Sequence, residues 1–403
     1  MSIPDSEQVL RLDEDFTSDP YRVYDDLRVG PPRRAVFPRG TRGWLLTRYA
    51  DVRAALADPT LSKDVAGAAP LLEKHRDADA PEGGFAPELA AHMLNTDPPD
   101  HTRLRKLVNR AFTVRGVESM RPRVEEITAG LLDAMAAGPA DVDLLSAFAF
   151  PLPMTVICEV LGVPDHDRDE FRKWTGVLVS SSKPEDLQTA GPWMVQYLVS
   201  LIAEKRSHPG PDLLTALIEA SEDDDRLSEN ELVAMAFLLL VAGHETTVNL
   251  VGNGLLALLR DPDQLAALRA DPSLLPAAVE EFLRYDGPVN IASFRYTTQP
   301  VTFGDTTIPE GEFLFLALGA ANRDPDRFPD PDRLDLTRPT SGHMAFGHGI
   351  HYCVGAPLAR MEAEVALRGL LERFPDIALG DGELRYRNSP IIRGLEEFPI
   401  RLR

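Results

Sequence analysis

The chain has 403 residues, 44% of them hydrophobic, with 63 acidic against 42 basic side chains and a formal net charge of -21. That length can enclose a bulky ligand completely, and the charge argues against nucleic acid or an anionic membrane as partner. Two cysteines, Cys158 and Cys353, cannot build a disulfide framework, and the opening "MSIPDSEQVLRLDEDF" lacks a basic and apolar leader, so a cytoplasmic protein is expected.

No repeat or low-complexity linker divides the chain, and one domain over residues 1–403 is expected. Helical periodicity dominates, so the fold class reads as mainly α with small peripheral β-sheets. Strand-like runs are confined to "RGWLLTRY", to residues 300–319 and to the tail "GELRYRNSPIIRGLEEFPIRL". Residues 63–95 and 180–192 show no clear period and read as irregular binding loops. Residues 101–115 hold five Arg or Lys and no acid. On a helical wheel His101, Arg105, Val108 and Phe112 share one face within about 60°, with Arg103, Lys106 and Arg110 opposite.

From Ser228 to Arg260 the pattern predicts one helix of about 33 residues and about 50 Å, with Ser228 and Glu231 spaced as a capping box and Asp261-Pro262 as the stop. The run is apolar all round, but "GHETT" interrupts it short of the roughly 20 residues a bilayer needs, which favours a buried central helix over a membrane span. His244, Glu245, Thr246 and Thr247 in that setting need partners or a purpose, and Gly243 lets something approach closely. A zinc HExxH motif is excluded because position 248 is Val248.

The stretch "AFGHGIHYCVGAPLAR" places Cys353 among Gly347, Gly349 and Gly355 and just before a helical pattern. A helix N-terminus favours thiolate over thiol, and a thiolate is a metal ligand or a nucleophile. No second cysteine lies near enough for zinc or an iron-sulfur cluster, whereas a single thiolate suits haem iron. Cys158, inside "MTVICEVLGV", reads as ordinary core.

"FGHGIHYCVG" resembles the haem-thiolate signature of the cytochrome P-450 monooxygenases, with Phe346, Gly347, Gly349, His351, Cys353 and Gly355 in place. "EFLR" carries Glu281 and Arg284 at the family's spacing, "FPDPDRLDL" puts Arg333 where the family completes a salt-bridged triad, and "AGHETT" falls on the long helix. The resemblance covers nearly the whole chain and extends, through "DPPDHTRLRKLV", to bacterial hydroxylases of macrolide polyketides. It implies the P-450 fold, with the long helix over haem b. Cys353 is then the iron ligand, His101, Arg105, Arg295 and His351 contact the propionates, and Phe346 and Gly243 lie beside the haem. Glu245 and Thr246 become the catalytic proton relay for O₂, and Glu281, Arg284 and Arg333 are structural.

No nucleotide-binding fingerprint is present, so the resemblance implies electrons from a ferredoxin and a ferredoxin reductase using NAD(P)H. The expected partner is a large, weakly polar substrate of secondary metabolism such as antibiotic biosynthesis, hydroxylated or epoxidised by a monomeric enzyme. A steroid or terpenoid hydroxylase, a peroxygenase and an isomerase are the alternatives. Residues 63–95 and 171–200 would contribute to the pocket, with Val289, Asn290, Ile291, Ala292, Ile391 and Ile392 as lining.

Overall fold

Ser228 opens a 32-residue helix, Glu229–Arg260, in a computed structural model that describes residues 9–37, 40–77, 87–168, 170–171, 174–175, 177, 184–220 and 227–403. The Ser228 hydroxyl accepts from the Glu231 N–H at 3.2 Å while the Glu231 carboxylate accepts from the Ser228 N–H at 2.8 Å, the reciprocal cap expected. Asp261 ends the helix and caps the next one, Pro262–Ala270. The long helix is apolar enough to cross a membrane, yet 72% of its most apolar stretch is buried inside the protein.

Its two halves belong to two different cores. Leu232 to Leu240 packs with Met93, Leu104, Met194, Leu198 and Leu214, whereas Val248 to Leu258 packs with Leu145, Phe282, Leu367 and Phe398. "GHETT" lies at the seam between them. Helices Pro151–Leu161, Leu275–Asp286 and Ala356–Arg373 all lie against the long helix, and Val114–Ala137 backs Ala356–Arg373.

The described strands are β1 (Leu10–Arg11), β2 (Arg33–Val36), β3 (Arg42–Leu46), β4 (Leu61–Ser62), β5 (Asp141–Asp143), β6 (Arg295–Thr297), β7 (Val301–Phe303), β8 (Thr306–Ile308), β9 (Phe313–Leu316), β10 (Ala378–Leu379) and β11 (Pro399–Arg401). They form a mixed sheet in the order β1-β2-β3-β9-β6-β4, a three-stranded sheet β10-β11-β5 and the hairpin β7-β8. Pairing of Leu61 with Thr297 and of Ser62 with Tyr296 matters most for the site, because it sets the chain after β4 beside the chain before β6.

Two expectations change. Residues 63–95 hold the helix Val65–Lys74, capped by the Asp64 carboxylate on the Gly67 N–H at 2.7 Å, and short 3₁₀ turns at Pro87–Leu89 and Met93–Asn95. Residues 180–192 run into the helix Pro184–Ser207. Pro70 and Pro192 lie inside these helices, where they read in sequence as breakers. Residues 78–86 and 180–183 lie outside the described residues.

Candidate active site

Gly347 and Gly349 both have φ of 75°, and a Cβ on Gly349 would lie 2.8 Å from the Leu56 carbonyl oxygen, so the loop before Cys353 depends on glycine there. The Cys353 N–H donates to the Phe346 carbonyl at 2.9 Å. Arg360 covers the Phe346 ring at 4.5 Å and donates to Glu280 at 2.5 and 3.0 Å, while Glu280 lies 2.9 Å from His343 Nε2. Burial raises the Glu280 carboxyl, but these hydrogen bonds outweigh it and bring it down to about 2.

The helix Ala356–Arg373 begins just beyond Cys353, with Gly355 as its N-cap. Cys353 is exposed, yet the protein atoms crowded around it disfavour a charge and push its thiol up, against the backbone N–H groups of Gly355 and Ala356 and the guanidinium groups of Arg105 and Arg360. The helix terminus alone therefore does not secure a thiolate here, whereas coordination to a metal deprotonates a thiol outright. Cys158 is core as expected, and burial pushes its thiol up to about 12.

Beside this loop the predicted haem contacts converge. His101, on the helix Asp100–Ala111, is buried with its ring 4.3 Å from that of His351. Arg105, one turn on, donates to the Tyr352 carbonyl at 2.6 Å and to Asn109 Oδ1 at 3.1 Å. Arg295, in β6, is 3% exposed, and burial lowers it to about 10. Burial, together with the cations Lys63, His101, Arg295 and Arg105, takes His351 down to about 2.

Lys63 was not anticipated. It is 1% exposed, its Nζ donates to Ser293 Oγ at 2.6 Å, and burial, then Arg295, holds it well below the usual lysine range. The β4–β6 pairing delivers it, and no sequence motif announces that. Asp97 accepts from Ser62 Oγ at 2.5 Å and from the Lys63 backbone N–H at 3.0 Å, not from the ammonium. Among the described residues no carboxylate lies within ion-pair distance of the Lys63 or Arg295 side chains. Buried cations without a counter-ion cost several kcal/mol each, so the cluster needs an anionic guest. The two carboxylates of a haem would meet that need, and Cys353, near Arg105, would be placed to supply a thiolate ligand to its iron. The residues fit the group.

On the long helix Ala242 is exposed and Val241, Gly243 and Thr246 are half-buried, while Thr247 to Leu258 is buried throughout. Thr246 Oγ1 donates to the Ala242 carbonyl at 2.9 Å. Glu245 is buried, with Oε1 accepting from Arg387 Nη1 and lying 3.5 Å from Asn249 Nδ2. His244 is also buried, its Nδ1 2.8 Å from the Leu240 carbonyl, and burial lowers its imidazole. Thr247 hydrogen-bonds Glu362 of the helix after Cys353, a fully buried carboxyl that burial pushes up to about 8. Gly243 lies on the accessible stretch, and because a Cβ there would lie 2.7 Å from Ile157 its small size also lets the helix Pro151–Leu161 pack closely.

Glu281 and Arg284 are structural as expected, fully buried and paired at 2.7 and 2.8 Å. Arg333 does not complete the triad. Its side chain is 61% exposed and pairs with Asp335, and only its carbonyl reaches Arg284, at 3.4 Å. The third cation is Arg338, whose Nε lies 3.4 Å from Glu281 Oε1. Motif position alone misplaced it by five residues, because the turn that follows Arg333 brings Arg338 inward.

The expected pocket residues divide. Asn290 is committed to the interior, accepting from the Tyr24 hydroxyl at 3.0 Å and donating to the Pro390 carbonyl at 3.3 Å. Ile291 is core with Leu12, Phe16 and Tyr24. Val289 and Ala292 are half-buried, Val289 bridges to Ile392, and Ile391 is exposed. Of the basic face, Arg103 is joined to Glu231 and, at 3.5 Å, to Asp100, Lys106 is exposed, and the Arg110 side chain lies outside the described residues.

Comparison with known proteins fits this geometry. The description "Cytochrome P-450" attaches to the family matched by residues 185–378. The chain is 58% identical over 402 residues to cytochrome P-450 107B1 of Saccharopolyspora erythraea, covering 99% of this chain and 98% of that one. It is 45% identical to the 6-deoxyerythronolide B hydroxylase of the same organism, over 100% and 99% of the two chains. Its fold matches the tirandamycin C-bound P-450 monooxygenase TamI with a TM-score of 0.91 at 52% identity, covering 98% of this chain and 100% of that one. With that identity and fold match running over nearly the whole of both chains, the chain belongs to the cytochrome P-450 family of monooxygenases.

Proposed function

We propose that this monooxygenase inserts one atom of O₂ into a large, weakly polar molecule, a macrolide or related polyketide, by hydroxylation or epoxidation. Electrons come from a ferredoxin and a ferredoxin reductase that draws on NAD(P)H, and the enzyme works as a monomeric cytoplasmic domain spanning residues 1–403. Haem, when bound through Cys353, supplies the oxygen-activating chemistry of a thiolate-ligated iron. His101, Arg105, Arg295, His351 and Lys63 hold its carboxylates. Thr246 orients hydrogen-bonding groups at the accessible stripe of the long helix, and Glu245, buried next to it, moves protons toward that stripe.

The observation that carries this reading is the buried, uncompensated Lys63 and Arg295 beside the Cys353 loop. Val289, Ala292, Ile391 and Ile392 support an apolar substrate, and the relative named for 6-deoxyerythronolide B and the tirandamycin C complex support its class. Two measurements test it. The reduced protein with carbon monoxide should show a thiolate-type spectrum that Cys353→Ser abolishes; an unchanged spectrum in the variant would remove Cys353 as ligand. In the ferric haem-loaded protein, macrolides or other polyketides should shift the visible absorption spectrum of the haem. A response to steroids alone would replace the substrate class.

A further inference from the structure

Glu245, Asn249 and Asn253, spaced four residues apart, form one polar stripe on the otherwise apolar C-terminal half of the long helix. All three are buried, and the C-terminal hairpin closed by the Tyr386–Leu395 bridge lies against each of them. Arg387 Nη1 donates to Glu245 Oε1. A Cβ on Gly394 would lie 1.7 Å from Asn249 Oδ1, so the hairpin backbone rests directly on the helix. Asn253 Nδ2 donates to the Arg393 carbonyl at 3.0 Å and to the Asp286 carbonyl at 2.9 Å.

The hairpin is itself stiff. The Arg387 N–H donates to the Gly394 carbonyl at 2.9 Å and its Nε to the Leu395 carbonyl at 3.2 Å. Arg393 donates to Asp286 Oδ1 at 3.2 Å and stacks 3.4 Å over the Tyr386 ring. Between these anchors the hairpin turn carries Ile391 and Ile392, with the Ile391 carbonyl accepting from the Asn290 N–H at 2.8 Å.

We propose that Arg387 is a positioning residue of the reaction, fixing the Glu245 carboxylate so that the proton-carrying acid and the loop beside the substrate form one rigid unit. The proposal rests on Glu245 as the relay acid. Arg387 Nη1 donates to Oε1 of that carboxylate while His244 Nε2, on an imidazole that burial disfavours charging, lies 3.8 Å from Oε2, and a guanidinium fixes a carboxylate's direction in a way a neutral group does not. Without it Glu245 keeps only the long contacts with Asn249 Nδ2 at 3.5 Å and His244 Nε2 at 3.8 Å, which hold its direction less firmly. Two electrons and two protons per O₂ then leave as hydrogen peroxide instead of yielding product and water.

The test uses the haem-loaded protein with a substrate found by the spectral screen. Arg387→Gln should lower product formed per NADPH by about tenfold, the low end for a group that orients a reacting residue, with a matching rise in peroxide. The substrate dissociation constant from the ferric spectrum should stay within about threefold of wild type, since hairpin and pocket remain in place. Arg387→Lys should restore most of the coupling, and Arg387→Gln combined with Glu245→Gln should be no worse than Glu245→Gln alone. Arg387→Met, of similar length, replaces the amide variant if that does not take up haem. Wild-type coupling in the Arg387 variant, additive losses in the double variant, or no rescue by Lys would overturn the proposal while leaving Glu245 as the acid. If Glu245→Gln itself couples normally, the underlying reading fails instead.

Discussion

Lys63 and Arg295 define the guest of this site more narrowly than Cys353 does. A glycine-flanked thiol admits several chemistries, but two buried basic side chains with no carboxylate at ion-pair distance among the described residues favour an anionic partner. Lys63→Met should therefore act in opposite directions on the two forms of the protein. With haem bound, the loss of a carboxylate partner should speed haem transfer to apomyoglobin by about tenfold, or ~1.4 kcal/mol. Without haem, removal of a buried charge should raise the thermal midpoint. The folded-state value of Lys63 lies well below 10.5, so between the two values the unfolded chain binds the proton more readily. Stability of the haem-free protein should therefore climb with pH toward 10.5, a slope the Met variant lacks. Equal haem-transfer rates in variant and wild type would show that Lys63 is not a partner. The sequence displayed Cys353, His101, Arg105, Arg295 and His351 because each sits in a local motif. Lys63 and Arg387 were illegible because their roles arise from pairings with segments more than 140 residues away.

Helix ends were readable for the same reason that long-range partners were not. The Ser228 capping box and the Asp261 stop are decided within four residues, and both lie where the spacing put them. The polar "GHETT" patch was visible as an anomaly, yet its resolution needed the C-terminal hairpin and the seam between two cores. Proline inside Val65–Lys74 and Pro184–Ser207 hid two helices altogether. The arginine of the structural triad shows how far a motif reaches and where it stops. Glu281 also accepts from the Asp335 N–H at 3.0 Å, so it ties the helix Leu275–Asp286 to the irregular segment that carries both Arg333 and Arg338. Arg338→Ala should break a buried charge cluster and cost about 3–5 kcal/mol. Arg333→Ala, which loses an exposed pair with Asp335, should cost about 0–1 kcal/mol. Thermal unfolding of the two haem-loaded variants checks the order, and a larger loss from Arg333→Ala would return the triad role to it.

At the scale of the whole molecule, a net charge of -21 makes any basic surface conspicuous, and the island at residues 101–115 lies against the cysteine loop. Its side chains do three different things. Arg105 turns inward to the Tyr352 carbonyl, Arg103 is tied to Glu231 of the long helix and Asp100, and Lys106 is exposed. Ile350, on the adjoining loop, is 53% exposed, so positive charge and an exposed apolar side chain both lie close to the Cys353 loop. An acidic ferredoxin docking here would be steered by charge, an effect worth about 10 to 1000-fold in association rate for a whole interface. Lys106→Glu should accordingly slow reduction by ferredoxin about threefold to tenfold at low salt, with the gap closing as the screening length shrinks from about 10 Å at 0.1 M to about 3 Å at 1 M. Substrate binding should not change. Arg103→Glu should act differently, because it sets a third carboxylate beside Glu231 and Asp100: the thermal midpoint falls before any docking effect is read. Stopped-flow reduction across a salt series separates the two. If Lys106→Glu accepts electrons at the wild-type rate at low salt, the donor docks on another face, and the basic island serves to anchor the helix Asp100–Ala111 to its neighbours.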